Sequence, residues 1–185
     1  MALDGSAVRA QTNQPANERF TAAAIDLGGT RSSRVTTAHV TISLDRWSSK
    51  AEQERLMAAM RGKSKDRALE VLRDLRPVGR IQLNTNLGYD LHLATQESTG
   101  DGRKITLVTD RPITFWEAWN QPMYADYPFT FIELRVDSNG RGNGHIMPAV
   151  RVSVSSDGKF MFLENYDIAV QLKDVEAEKT TRRAE

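Results

Sequence analysis

At 185 residues the chain has the length of one domain, which buries roughly two-thirds of its unfolded surface, and the absence of cysteine excludes disulfides, thiolate zinc sites, iron–sulfur clusters and cysteine nucleophiles. Its 25 Lys+Arg stand against 24 Asp+Glu, so no strong net field steers nucleic acid or an anionic membrane towards it. No apolar run reaches the roughly eighteen residues of a membrane-spanning helix, and His39, His92 and His145 are scattered with no HExxH pair, so neither a metal nor a cofactor is expected.

Met1 to Glu18 is polar, has no apolar h-region and reads as a loose N-terminal segment, ahead of a folded body over 19–175 and a charged tail over 176–185. Ile25-Asp26-Leu27-Gly28-Gly29-Thr30 looks like the first phosphate loop of sugar kinases of the actin-like fold. That chemistry needs a second phosphate loop and two α/β domains, so the string reads instead as a turn entering the next strand. From Arg34 to Arg46, Ala38, Val40, Ile42 and Leu44 alternate with Thr37, His39, Thr41 and Ser43, the pattern of a half-buried strand.

At Trp47 the period changes. Ser49, with Glu52 three residues on, forms a capping-box signature for a helix over about 50–61, with Leu56 and Met60 inward and Gly62 expected to end it at positive φ. Ser64 is placed to cap a second helix whose stripe is Ala68, Val71, Leu72 and Leu75, stopped by Pro77. After Pro77 apolar residues recur at every second position. Ile81 and Leu83, then Tyr89, Leu91 and Leu93, then Ile105 and Leu107 predict a three-stranded meander. Phe129–Val136, Ile146–Val154 and Phe160–Leu163 predict two hairpins sharing their middle strand, and Ile168, Val170 and Leu172 a last strand. Phe129 and Phe131 alternate with Ile132, Leu134 and Val136, so both faces of that strand are expected to be covered. The fold class is mainly β, an antiparallel barrel or two-layer sandwich of about eight strands with an inserted two-helix hairpin at about 50–75.

Asp137-Ser138-Asn139-Gly140-Arg141-Gly142 opens like a calcium loop, but Arg141 occupies a ligand position and Pro148 stands where a closing Glu is needed, so it reads as a hairpin turn. Gly140-Arg141-Gly142-Asn143-Gly144 lacks the dinucleotide spacing and a following helix, and reads as a flexible turn.

Arg46-Trp47-Ser48, Val78-Gly79-Arg80-Ile81, Leu87-Gly88-Tyr89-Asp90-Leu91, Thr109-Asp110-Arg111-Pro112-Ile113, Phe115-Trp116-Glu117, Tyr127-Pro128-Phe129-Thr130-Phe131-Ile132-Glu133 and Leu163-Glu164-Asn165-Tyr166 resemble, in this order, segments of a family of exported bacterial proteins without assigned activity. The resemblance implies a bacterial source and a periplasmic or secreted location, and it carries over no functional residues.

The densest polar-aromatic stretch is Thr109–Tyr127, with Asp110, Arg111, Trp116, Glu117, Trp119, Tyr124 and Tyr127 as candidate ligand-binding residues. Two accounts of it are open: rings that plug one end of the barrel while Arg111 pairs with a carboxylate, or a recognition loop for a small apolar ligand or a protein partner. Glu133, Arg135 and Glu164 are charges on otherwise apolar strands, and convergence in one cavity would make them an acid–base set. The leading expectation is a non-catalytic binding module. Its rivals are an acid–base hydrolase or isomerase with a carboxylate pocket and a structural envelope protein.

Overall fold

A computed structural model of the chain describes residues 15–27, 35–62, 65–84, 88–113, 126–154, 161–165 and 169–179. In chain order the elements are β1 (Pro15–Asp26), β2 (Thr36–Arg46), α1 (Lys50–Arg61), α2 (Lys65–Asp74), β3 (Gly79–Leu83), β4 (Tyr89–Leu91), β5 (Leu93–Ser98), β6 (Gly102–Thr109), β7 (Phe129–Asp137), β8 (Arg141–Val154), β9 (Met161–Asn165) and β10 (Val170–Lys179). The expected limits of the folded body fall inside β1 and β10, whose outer residues Glu18 and Lys179 pair with each other.

All pairings are antiparallel, and the strands run in the order β4-β3-β2-β1-β10-β8-β7-β6-β5. Two long strands are broken. Val150 of β8 is matched to Phe129 on one side and Asn165 on the other, as Ile146 is matched to Ile132 and Val170, so β9 and β10 lie in line along one edge of β8. Likewise β4 and β5 are two pieces of one run interrupted at His92, the first paired to β3 and the second to β6.

That second break brings the ends of the sheet together. The His92 N–H donates to the Val108 carbonyl at 2.9 Å. Ser48, just past β2, exchanges bonds with Ala94 of β5: its N–H donates to the Ala94 carbonyl at 3.0 Å, and its buried Oγ accepts the Ala94 N–H at 3.0 Å. The sheet is thus a nearly closed barrel, and the sandwich alternative falls away.

Period-two alternation fills the interior. Phe20, Ala22 and Ala24 of β1, Val40, Ile42 and Leu44 of β2, Ile105 and Leu107 of β6, and Ile132, Leu134 and Val136 of β7 meet in one buried cluster, with Trp47 packed beside them. Fully burying a side chain of this size contributes about 1.5–3 kcal/mol. The helical hairpin lies outside. Leu56 and Met60 of α1, and Ala68, Val71 and Leu72 of α2 with Leu75, pack on Val108, Phe129, Phe131 and Val150, which explains why β7 is apolar on both faces over its first half.

Local signals account for the hairpin. Ser49 Oγ accepts the Glu52 N–H at 3.3 Å and Glu52 Oε2 accepts the Ser49 N–H at 2.7 Å, the reciprocal capping box read from the sequence. Arg46 grips the same carboxylate with two 2.9 Å bonds, so the helix start is tied back to β2 and the Glu52 carboxyl sits below its ordinary pKa. Gly62 departs from expectation, with φ −66° and ψ 159°: its N–H bonds to the Ala59 carbonyl and the chain leaves α1 extended. The expected cap Ser64 lies outside the described residues. Among the described residues, no helix is long and apolar enough to cross a membrane.

Candidate functional site

Three polar constellations stand out on this frame. The first surrounds Asp110, which follows β6 and is 6 % exposed. Arg73 Nε of α2 donates to its Oδ2 at 3.0 Å and Arg111 Nε to its Oδ1 at 3.2 Å, while His92 Nε2 lies 3.8 Å away. Burial pushes the Asp110 carboxyl up, but the bonds from Arg73 and Arg111, with the positive charge of Arg111 nearby, outweigh it and leave the group below its ordinary pKa. His92 Nδ1 is 3.1 Å from the Leu75 carbonyl. A carbonyl only accepts, so that nitrogen carries the proton. His92 is closed in beneath the end of α2, with 11 % of its side chain exposed. The arrangement ties the end of α2, the break in the β4–β5 run and the end of β6 to one carboxylate.

The second constellation is Tyr127, Arg151 and Glu164. The Tyr127 hydroxyl donates to Glu164 Oε1 at 2.9 Å, Arg151 Nε donates to Oε2 at 3.2 Å, and the Arg151 guanidinium lies 5.2 Å over the Tyr127 ring. Hydrogen bonds from Arg151 and Tyr127 hold the Glu164 carboxyl below its usual value, and the same bond to Glu164 raises the Tyr127 phenol. These groups are in contact with solvent, with Arg151 45 % and Glu164 53 % exposed along the side chain.

The third is a groove of about 620 Å³, lined by Thr99, Asp101, Arg103, Glu133, Arg135, Val136, Asp137, Arg141, Gly142, Asn143, Gly144 and His145. Glu133 and Arg135 continue the β7 face on which Phe129 and Phe131 carry the helices, so the groove occupies the part of that face left uncovered. Arg135 Nε donates to Glu133 Oε1 at 2.8 Å. Arg103 is held from the barrel side, donating to Glu18 Oε1 at 3.1 Å and Gln96 Oε1 at 2.9 Å, with its guanidinium 5.8 Å over the Phe20 ring.

Of the residues expected to bind ligand, Asp110 and Arg111 meet in the first constellation and Tyr127 belongs to the second, while Trp116, Glu117, Trp119 and Tyr124 lie outside the described residues. Of the acid–base candidates, Glu133 and Arg135 are paired, but Glu164 is not brought to them. It sits opposite Arg151, and Arg151 lies between Val150 and Val152, which pack towards the helices, so Glu164 and Glu133 look out from opposite faces of the sheet. Each carboxylate has its own arginine.

Asp101, Arg141, Asn143 and His145 line the groove and are not among the site residues expected from sequence. The signal was present: glycine alternates with a polar residue from Gly140 to His145, which puts Arg141, Asn143 and His145 on one face of a strand. Three glycines in five residues read as a turn, yet β8 begins at Arg141 and only Asp137–Gly140 turns. There Asp137 Oδ1 accepts the N–H groups of Asn139 at 2.8 Å and Arg141 at 3.0 Å, so its carboxylate shapes the hairpin. Among the described residues no group of three or more His, Cys, Asp or Glu side chains is arranged to hold a metal ion. No protein-family model, curated protein or solved structure matches the chain.

Proposed function

We propose that this chain is a non-catalytic binding module of an exported bacterial protein, and that it takes its ligand in the groove on the outer face of β7 and β8. The observation that carries the reading is the groove itself: about 620 Å³, within the range of roughly 300–1,000 Å³ typical of small-molecule sites, on a sheet face whose other half is already buried under the helices. The barrel interior is occupied by its own side chains, so the outer face is where a ligand fits. Export rests on the family resemblance. The polar lining favours a polar ligand over the apolar one suggested by the aromatic stretch.

A thermal-shift screen of the full chain against metabolite mixtures tests the proposal. A ligand at about a hundred times its Kd stabilises the native state by about 2.7 kcal/mol, a rise of several degrees in Tm. The rise is expected to vanish in Asn143→Trp, whose indole fills the groove. Absence of any rise, or hits unaffected by Asn143→Trp, refutes the site.

A further inference from the structure

The β8 segment Arg141-Gly142-Asn143-Gly144-His145 is built for close approach on one side and for display on the other. A Cβ on Gly142 would lie 1.7 Å from the Arg135 carbonyl oxygen, and one on Gly144 would lie 2.3 Å from that of Glu133. Only glycine lets the β8 backbone come this near to β7. The intervening residues are thereby set against the outward residues of β7, with Asn143 directly opposite Arg135 and His145 directly opposite Glu133. Side chains so paired stand about 4.5–5.5 Å apart at Cβ, close enough to touch one small molecule together.

Their hydrogen-bonding groups are largely uncommitted. Arg135 uses Nε on Glu133, and among the described residues its two Nη groups have no partner, with the side chain 70 % exposed. The Arg141 guanidinium makes one ion pair among the described residues, its Nε to Glu176 at 3.8 Å, lies within reach of the Asp137 charge, and the side chain is 76 % exposed. The side chains of Asn143 and His145 bond to no other described residue. Against these donors stand three carboxylates in the same lining, Asp101, Glu133 and Asp137. Asp137 is committed to two backbone N–H groups and Glu133 to Arg135, so Asp101 is the acid whose carboxylate bonds to no other described residue. With Arg103, Arg135 and Arg141 the lining is three cations against three anions, a balance that gives a polyanion no net attraction.

We propose that the groove recognises a small molecule bearing a single carboxylate, whose planar oxygens are taken by the free Nη ends of Arg135 and Arg141 and whose remaining polar groups meet Asn143 and His145. The guanidinium fork matches a carboxylate in shape as well as charge. This ligand class rests on the binding-module reading above.

The test is titration of the 15N-labelled full chain with matched acids and amides, namely lactate and lactamide, glucuronate and glucuronamide, hippurate and hippuramide, with inorganic phosphate as a further probe. The backbone resonances of 133–145 are expected to move with at least one acid, and its amide is expected to bind about tenfold more weakly or worse, the loss of a charge-assisted pair. Arg135→Gln and Arg141→Gln should each weaken that acid by about tenfold, while Arg67→Gln, on α2 and outside the groove lining, leaves it unchanged; dispersed spectra verify folding of each variant. Amides binding as well as acids overturn the carboxylate assignment and leave the groove as a binding site. Phosphate binding more tightly than every acid overturns it in favour of a different anion. Resonances that stay still with every probe overturn the carboxylate assignment and count equally against the groove.

Discussion

Asp110 illustrates how much one enclosed carboxylate organises. Its partners come from α2, from the strand break at His92 and from its own neighbour Arg111, so Asp110→Asn removes the charge on which three segments converge. Hydrogen bonds between charged groups contribute about 1.5–3 kcal/mol, and because Arg73 and Arg111 are half exposed the lower part of that range is expected, read as a fall in urea midpoint at pH 7. The pH dependence has a definite sign. The folded-state pKa of Asp110 lies below its ordinary value of 3.8, so its contribution is complete above that value and drains away as pH falls through the folded-state pKa. Asp110→Asn should therefore show a shallower loss of stability between neutral and strongly acidic pH than the parent chain; parallel acid limbs would refute the assignment. A simpler residue effect is Ser49→Ala, which deletes the N-cap acceptor of α1 and should cost about 1 kcal/mol by the same measurement. The cap was legible because donor and acceptor are three residues apart, whereas Arg73 and Asp110 are joined only by the fold.

Among the elements, legibility followed the contrast between inward and outward side chains. β2 alternates large apolar residues with polar ones and was read nearly to its ends. β1 puts Phe20, Ala22 and Ala24 inward and Ala23 and Ile25 outward, so small residues on both faces erase the contrast, and its first residues passed for a loose segment. β10 lost its second half for a different reason. A register shift between Leu172 and Val175, with Asp174 at φ 52°, turns the strand over, and the strict two-residue period stops there although Val175 is buried. β8 was shortened by its glycines, which serve contact with β7. Gly142→Ala should therefore do more damage than a strand substitution normally does: the added carbon must displace backbone, so a loss above about 2 kcal/mol is expected. Faster amide exchange over 133–136 and 141–145 should accompany it, and an unchanged exchange pattern would contradict the close approach.

For the whole molecule, local pattern sufficed for about eight of the ten strands and for the helical insert but could not choose barrel over sandwich. That choice is made by contacts remote in sequence, β1 with β10 and Ser48 with Ala94, and by a strand that changes partners at His92. The candidate site was half legible for the same reason: Glu133 and Arg135 stood out as charges on an apolar strand, while Asn143 and His145 acquire meaning only from lying opposite them. Closure can be probed at its seam. Ser48→Ala leaves the Ala94 N–H without its acceptor in a buried position, which costs about 1–3 kcal/mol. The extra exchange should concentrate in β4, β5 and the end of β6, and uniform loosening would argue against a discrete seam.

The placement of β10 between β1 and β8 makes the last strand of the chain the one that joins the two halves of the sheet. Strands β2 to β9 can pair with their other neighbours without residues 170–179, but β1 and β8 then each hold out an unfilled row of amides and carbonyls beside an open greasy lining. The segment acts as a keystone: withheld, it leaves a sticky half-shell eager to recruit a stand-in from another chain, and supplied as a separate peptide it should drop into the gap and restore the vault.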